Sequence, residues 1–234
     1  MAYGDFETGG EAYLKGDFET AANEFAPLAE RGDHRAMYAL GSMYAAGQGV
    51  EKNYKKAFAL FSEATKNGRI DATYKLGLMH EQGLGTKQNY KKAIRHYQKA
   101  AKKGYPLAQY RIGLMYEQGL GVKKNTINAY AWLVIAGHYF IYVPINTGDE
   151  KDSSIEENKR QILIFHQQEI DRVFDEITTH LQKIKENMSS EDIEKVKSKV
   201  IALSKYRKKY HSEKVRALKI EPSIESLFLP ETLY

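Results

Sequence analysis

The residues best placed to do chemistry in this 234-residue chain are three Gly-x-Gly pairs, seven histidines and a scatter of carboxylates. The pairs are Gly47/Gly49, Gly83/Gly85 and Gly119/Gly121. Such a pair can cradle a phosphate, but phosphate-binding glycines follow a buried strand and bring further residues such as a lysine–serine pair. Here they recur at a fixed period between helical patterns, which makes them turns. His166 with Glu169, and Glu176 with His180, can each share a helix face, an ordinary surface arrangement. His80 stands where other repeats carry Tyr44 and Tyr116, which suggests packing rather than ligation. No Gly-x-Ser-x-Gly elbow marks a nucleophile. The chain has no cysteine, which removes a disulfide framework, a thiolate zinc site and a cysteine nucleophile. An active site needs several perturbed groups in one cleft, and nothing converges by sequence. The expectation is a non-enzyme with no catalytic residue, no cofactor and no metal.

The elements that would position these residues emerge from an internal repeat. Aligned at an offset of 36, three units coincide: residues 35–70, 71–106 and 107–142. Ala36/Ala72/Ala108, Leu40/Leu76/Ile112, Gly41/Gly77/Gly113 and Met43/Met79/Met115 mark a first helix. Asn53/Asn89/Asn125, Ala57/Ala93/Ala129 and Ala64/Ala100/Ala136 mark a second. In the middle unit the spacing predicts a helix over about 71–82, stopped by Gly83, since the left-handed conformation is cheap only without a β-carbon. Asn89 is placed to cap the next helix, and Gly104 ends it. Ala21, Phe25 and Gly32 extend the register upstream, so a truncated opening repeat occupies residues 5–34. Seventeen of the 18 glycines fall at or before Gly137, consistent with this punctuation.

Gly77 with Gly83 and Gly85, then Tyr90, Lys92, Ala93, Tyr97, Ala100 and Gly104, resembles the Sel-one-like repeat (SLR) of bacterial type. That repeat is a relative of the tetratricopeptide repeat with a longer loop between its helices. The stretch from Ala12 to Gly32 resembles the truncated tetratricopeptide-like unit that opens such arrays. Unit three departs from the pattern at Thr126, Asn128 and Phe140, and Ala129 to Leu133 resembles an array's last helix. The resemblance implies an all-α fold, a right-handed superhelical solenoid of helix-loop-helix repeats with a C-terminal helical cap.

Beyond the array, residues 146–154 hold no apolar residue and read as a connector. Ser154 with Glu157 fits a capping box. A helix over about 155–187 follows, its stripe including Ile162, Phe165, Val173, Ile177 and Ile184. Ser189 or Ser190 opens another, with Ile193, Val196, Val200 and Leu203 on one face. Met188 to Ile193 is similar to the segment that introduces a terminal helix pair in the family. The expectation is a capping pair over 155–209, since solenoids need their open ends covered, with an extended tail over 210–234. A docking or dimerisation module is the other reading, so the oligomeric state stays open.

Hydrophobic residues make up 42% and charged residues 28%, enough to bury a core. Net charge is +5, a mild excess, so no nucleic-acid partner is expected. Lys195 to Arg216 contains nine basic residues against Glu213 alone. It reads as a solvated helix face, with an anionic surface contact as the alternative. The longest apolar run, Ala129 to Ile145, is shorter than the roughly 20 residues of a membrane span and is interrupted by polar groups. It reads as a buried helix with an extended exit, and no transmembrane segment is expected. Ala2 to Gly4 run directly into acidic and polar residues, unlike a leader. The family resemblance nonetheless implies a periplasmic or secreted location, with the cytoplasm left open.

If the first helices behave as in tetratricopeptide repeats, their concave face carries Tyr38/Tyr74/Tyr110, Ser42/Leu78/Leu114 and Ala46/Gln82/Gln118. Tyrosines at one register either present apolar rings and polar tips to a partner or pack between adjacent units. The leading functional expectation is a non-enzymatic scaffold or adaptor binding a protein or extended peptide there, in a bacterial envelope, signalling or host-interaction assembly. The alternative is a binder or hydrolase of cell-wall glycan (peptidoglycan), with Asp71, Glu81 and Glu117 as candidate carboxylates.

Overall fold

A computed structural model of the chain describes residues 5–141 and 157–204. The connector, the Ser154 capping box, the last residues of the expected capping pair (205–209) and the tail over 210–234, with the basic residues they contain, lie outside the described residues. Ten helices and no strand occur among the described residues, and the fold is an all-α solenoid of helix-loop-helix repeats. Two compact units divide the described residues, one containing 5–97 and 157–163, the other 98–141 and 164–204.

The first unit opens with α1 (Phe6–Leu14) and α2 (Phe18–Glu30), then α3 (His34–Ala46), α4 (Tyr54–Lys66), α5 (Ile70–Gln82) and the start of α6 (Tyr90–Ala101). Short polar side chains start these helices, except α5, where Arg69 precedes the first turn and gives no side-chain cap. Asp17 accepts from the Thr20 amide, Asn53 from Lys56 and Asn89 from Lys92, satisfying donors that have no intrahelical partner. Hydrogen bonds from Thr20 hold the Asp17 carboxyl below its usual range. Gly83 closes α5 with φ +74, its amide donating to the Met79 carbonyl. Gly85, at φ +66, has its backbone against the Tyr54 carbonyl of α4, in the space a β-carbon would need.

Within each repeat an aromatic from the second helix sits over a glycine in the first. Phe25 meets Gly9, Phe61 meets Gly41 and Tyr97 meets Gly77. Phe25, Phe61 and Tyr97 are buried, each worth about 1.5–3 kcal/mol relative to exposure. Small residues beside them, Ala57, Ala64, Ala93 and Ala100, are buried too and let the helices approach. Gly9 and Phe25 show that α1 and α2 already form this pair, joined by a tight turn at Gly16 instead of a Gly-x-Gly loop.

The second unit contains α7 (Pro106–Gln118), α8 (Thr126–Ile141), the 164–185 part of α9 (Glu157–Lys185), and α10 (Ser190–Ser204). Leu133 takes the aromatic's place over Gly113. Every residue from Ala129 to Gly137 is buried, as a helix apolar on all sides requires. Both α7 and α10 pack on α8, and Ile177 of α9 stands against Gly137. Ser189 and Asp192 cap α10 reciprocally, with the Asp192 amide donating to Ser189 Oγ at 3.1 Å and the hydroxyl donating to the Asp192 carboxylate at 2.9 Å. Val196, Val200 and Leu203 form the buried side of α10.

Candidate partner-binding face

Tyr38, Ser42 and Ala46 lie along α3, and Tyr74, Leu78 and Gln82 along α5. Helical spacing sets each trio on one face. The face is graded. Tyr74 is buried, Tyr38, Ser42 and Leu78 are half-buried, and Ala46 and Gln82 are exposed. Tyr38 packs against Phe61 of its own repeat, with ring centroids 5.7 Å apart. The Arg69 guanidinium, from the residue that precedes α5, lies 5.0 Å from the same ring. Arg69 also donates a two-pronged pair of bonds to Asp71, at 3.0 and 2.8 Å. Burial, reinforced by the Asp71 charge, pushes the Tyr38 hydroxyl up to about 12. Tyr38 is thus a joint between consecutive repeats.

Tyr74 stacks obliquely on Tyr97 at 5.7 Å, and the Tyr97 hydroxyl donates to Glu81. Ser42 gives its hydroxyl to the Tyr38 carbonyl at 2.9 Å. Beside them Lys75 is half-buried, and burial lowers the pKa of its ammonium against the opposing pull of Asp71.

In the second unit Tyr110 is buried, Leu114 half-buried and Gln118 exposed. The Tyr110 hydroxyl donates to Glu176 of α9 at 2.6 Å, and burial followed by that carboxylate pushes its pKa up. Arg172 reaches the other oxygen of Glu176 at 3.3 Å. One turn of α9 further on, His180 Nδ1 meets Glu117 Oε2 of α7 at 2.8 Å. Glu176 and His180, spaced like a surface pair, therefore bind α7 separately. Sequence spacing carried no signal for their partners. An open concavity of about 550 Å³ runs along the same face of α9, lined by Asp171, Asp175, Glu176, Thr179 and His180 among others.

The remaining candidates are engaged in packing or ion pairs. His80 is buried, edge-on to Phe58 and stacked on His96 at 5.4 Å. Burial, with the Lys92 charge, lowers its pKa. No group of three metal-ligating side chains occurs among the described residues. Asp71 pairs with Arg69, Glu81 accepts from Tyr97 and Glu117 meets His180. In the described part of the basic run, Lys195 pairs with Glu191 and Lys197 with Glu194, each at 2.6 Å. No described helix is long and apolar enough to cross a membrane.

Residues 34–68, 70–105 and 106–137 each match the family model described as Sel1 repeat. Among solved structures, a protective antigen present in uropathogenic Escherichia coli strains and displaying an SLR fold superposes with a TM-score of 0.62 at 23% identity. The alignment covers 88% of this chain and 37% of the antigen, so the chain spans little more than a third of that protein. A Sel1 repeat protein from Oxalobacter formigenes gives a TM-score of 0.56 at 22% identity, covering 85% of this chain and 84% of the other. No curated protein matches the chain.

Proposed function

Residues 34–137 of this chain are three Sel1 repeats, and on that premise we propose that it is a non-enzymatic scaffold holding a protein or extended peptide on the concave face of its repeats. Sel1 repeats usually mediate protein interactions. The carrying observation is the graded face of the first helices. Its tyrosines are fixed by packing, while Gln82 and Gln118 stand exposed beside half-buried Leu78 and Leu114. Rigid rings beneath adaptable amides are suited to an extended ligand, because little ordering entropy is lost on binding. The carboxylates that a glycan hydrolase would use are each committed to a different partner, which favours binding over hydrolysis. An assembly in the bacterial envelope, with the chain in the periplasm or secreted, is the setting we propose.

Photo-crosslinking in the source cells tests this. A photoreactive residue at Gln82 or Gln118 is expected to capture one discrete protein or peptide. The same residue at exposed Ala59, on α4, is expected to capture none. Equal capture from all three positions, or no capture from either glutamine, rejects the concave-face reading.

A further inference from the structure

The net charge of +5 is concentrated rather than spread. Seven cations fall between Lys87 and Lys103, and no acidic residue occurs from Gln82 to Tyr116. Four of the seven, Lys91, Lys92, Arg95 and Lys99, belong to α6, with Lys87 just before it and Lys102 and Lys103 just after. The helix has two sides. Ala93, Ile94, Tyr97, Ala100 and Ala101 are buried, whereas all seven cations are exposed. Lys91, Arg95 and Lys99 are spaced four apart and form a straight ridge along one helix.

Among the described residues this ridge has no counterion. None of the ion pairs among the described residues involves any of the seven. Like charges four apart destabilise a helix, and Lys91 and Lys92 stand in the first turn, at the positive end of the helix dipole. No acidic residue occupies that turn. Folding alone therefore disfavours Lys91 and Lys92 at that end and the like-charge spacing along the ridge, and an external anion would relieve both.

We propose that the exposed side of α6 is a docking ridge for an anionic phospholipid surface. Three observations favour lipid among polyanions. Six of the seven cations are lysines, compact point charges suited to mobile phosphates, with a single arginine available for fork-like recognition. No exposed large apolar side chain borders the ridge, since the one such residue among the described residues is Ile201 on α10. The ridge thus lacks the aromatic platform used to stack nucleic-acid bases. A single straight helix edge also matches a flat array of head groups. The contact is peripheral and electrostatic, with the apolar side of α6 kept in the core.

Co-sedimentation with vesicles tests the proposal on the full chain. Binding is expected to vesicles containing phosphatidylglycerol, to be absent with phosphatidylcholine alone, and to fall at high salt. The variant Lys91→Gln/Arg95→Gln/Lys99→Gln is expected to lose about a hundredfold in partition, at about fivefold per charge. Its far-UV circular dichroism should be unchanged, because three exposed cations leave the core intact. Lys195→Gln/Lys197→Gln/Lys199→Gln removes the same charge from α10 and is expected to bind as the parent does. Equal losses in both variants, binding to neutral vesicles, or tighter binding to duplex DNA than to the anionic vesicles would each overturn the assignment.

Discussion

The Tyr97 ring in α6 occupies the space that a side chain at Gly77 in α5 would need. Gly77→Ala should therefore destabilise the chain. Overpacking of this kind costs about 1–3 kcal/mol, more than the gain of up to about 1 kcal/mol that alanine brings to a helix. A β-carbon at Gly10, also helical, would meet nothing within 4 Å. Gly10→Ala is expected to stabilise by about 0.5–1 kcal/mol. Urea titration of the two variants checks the opposite signs.

Two glycines of left-handed conformation separate strain from collision. Gly68 at φ +84 has open space around it, whereas Gly85 at φ +66 faces the Tyr54 carbonyl. Gly68→Ala should cost about 1–2 kcal/mol, the penalty of the conformation alone. Gly85→Ala should cost more, because backbone rather than a flexible side chain has to move. Equal midpoints for the two variants would contradict this reading of the loop.

These glycines and the caps were legible in the sequence because they act locally. Gly83 and Asn89 report on their own turns, and their 36-residue recurrence made the repeats readable from residue types and spacing alone. Gly9 escaped that register. It lies 32 residues before Gly41, since the turn between α1 and α2 is shorter than the later loops. The tyrosines were less legible for a different reason. Tyr38, Tyr74 and Tyr110 share a position, but their surroundings depend on Phe61 with Arg69, on Tyr97, and on Glu176. Those neighbours come from other helices, and no spacing rule within one helix reveals them.

His80 gives the chain an acid-sensitive point. Its pKa in the folded state lies below the ordinary histidine value of 6.5, so the unfolded chain takes up the proton first. The associated stability is complete above about pH 6.5 and declines as pH falls through that value toward the folded pKa. Substituting His80→Tyr, the residue type at Tyr44 and Tyr116, should flatten that decline. The comparison is unfolding free energy at neutral and mildly acidic pH, above the range where Asp33, held low by its bond from Arg35, contributes. An unchanged slope in the variant would remove His80 from the account.

The contacts between α7 and α9 should matter more than ion pairs on the surface. Tyr110→Phe deletes the donor to Glu176 and should cost about 1 kcal/mol, the usual net worth of such a bond with its half-exposed acceptor still solvated. Lys195→Ala breaks an exposed pair with Glu191 and should leave the unfolding midpoint nearly unchanged. Hydrogen exchange adds a second readout, with faster exchange in residues 171–185 expected only for the tyrosine variant.

The pairing of each glycine with a large side chain from the following helix has a kinetic meaning. Gly41/Phe61, Gly77/Tyr97 and Gly113/Leu133 are each 20 residues apart, and Gly9/Phe25 only 16. Closing so short a segment sacrifices little chain entropy, and a topology built from such near neighbours folds quickly. Each helix pair can find its partner while the rest of the polypeptide is still unformed. An additional 36-residue module could then be gained or lost by the gene without rewriting the search that any other module carries out.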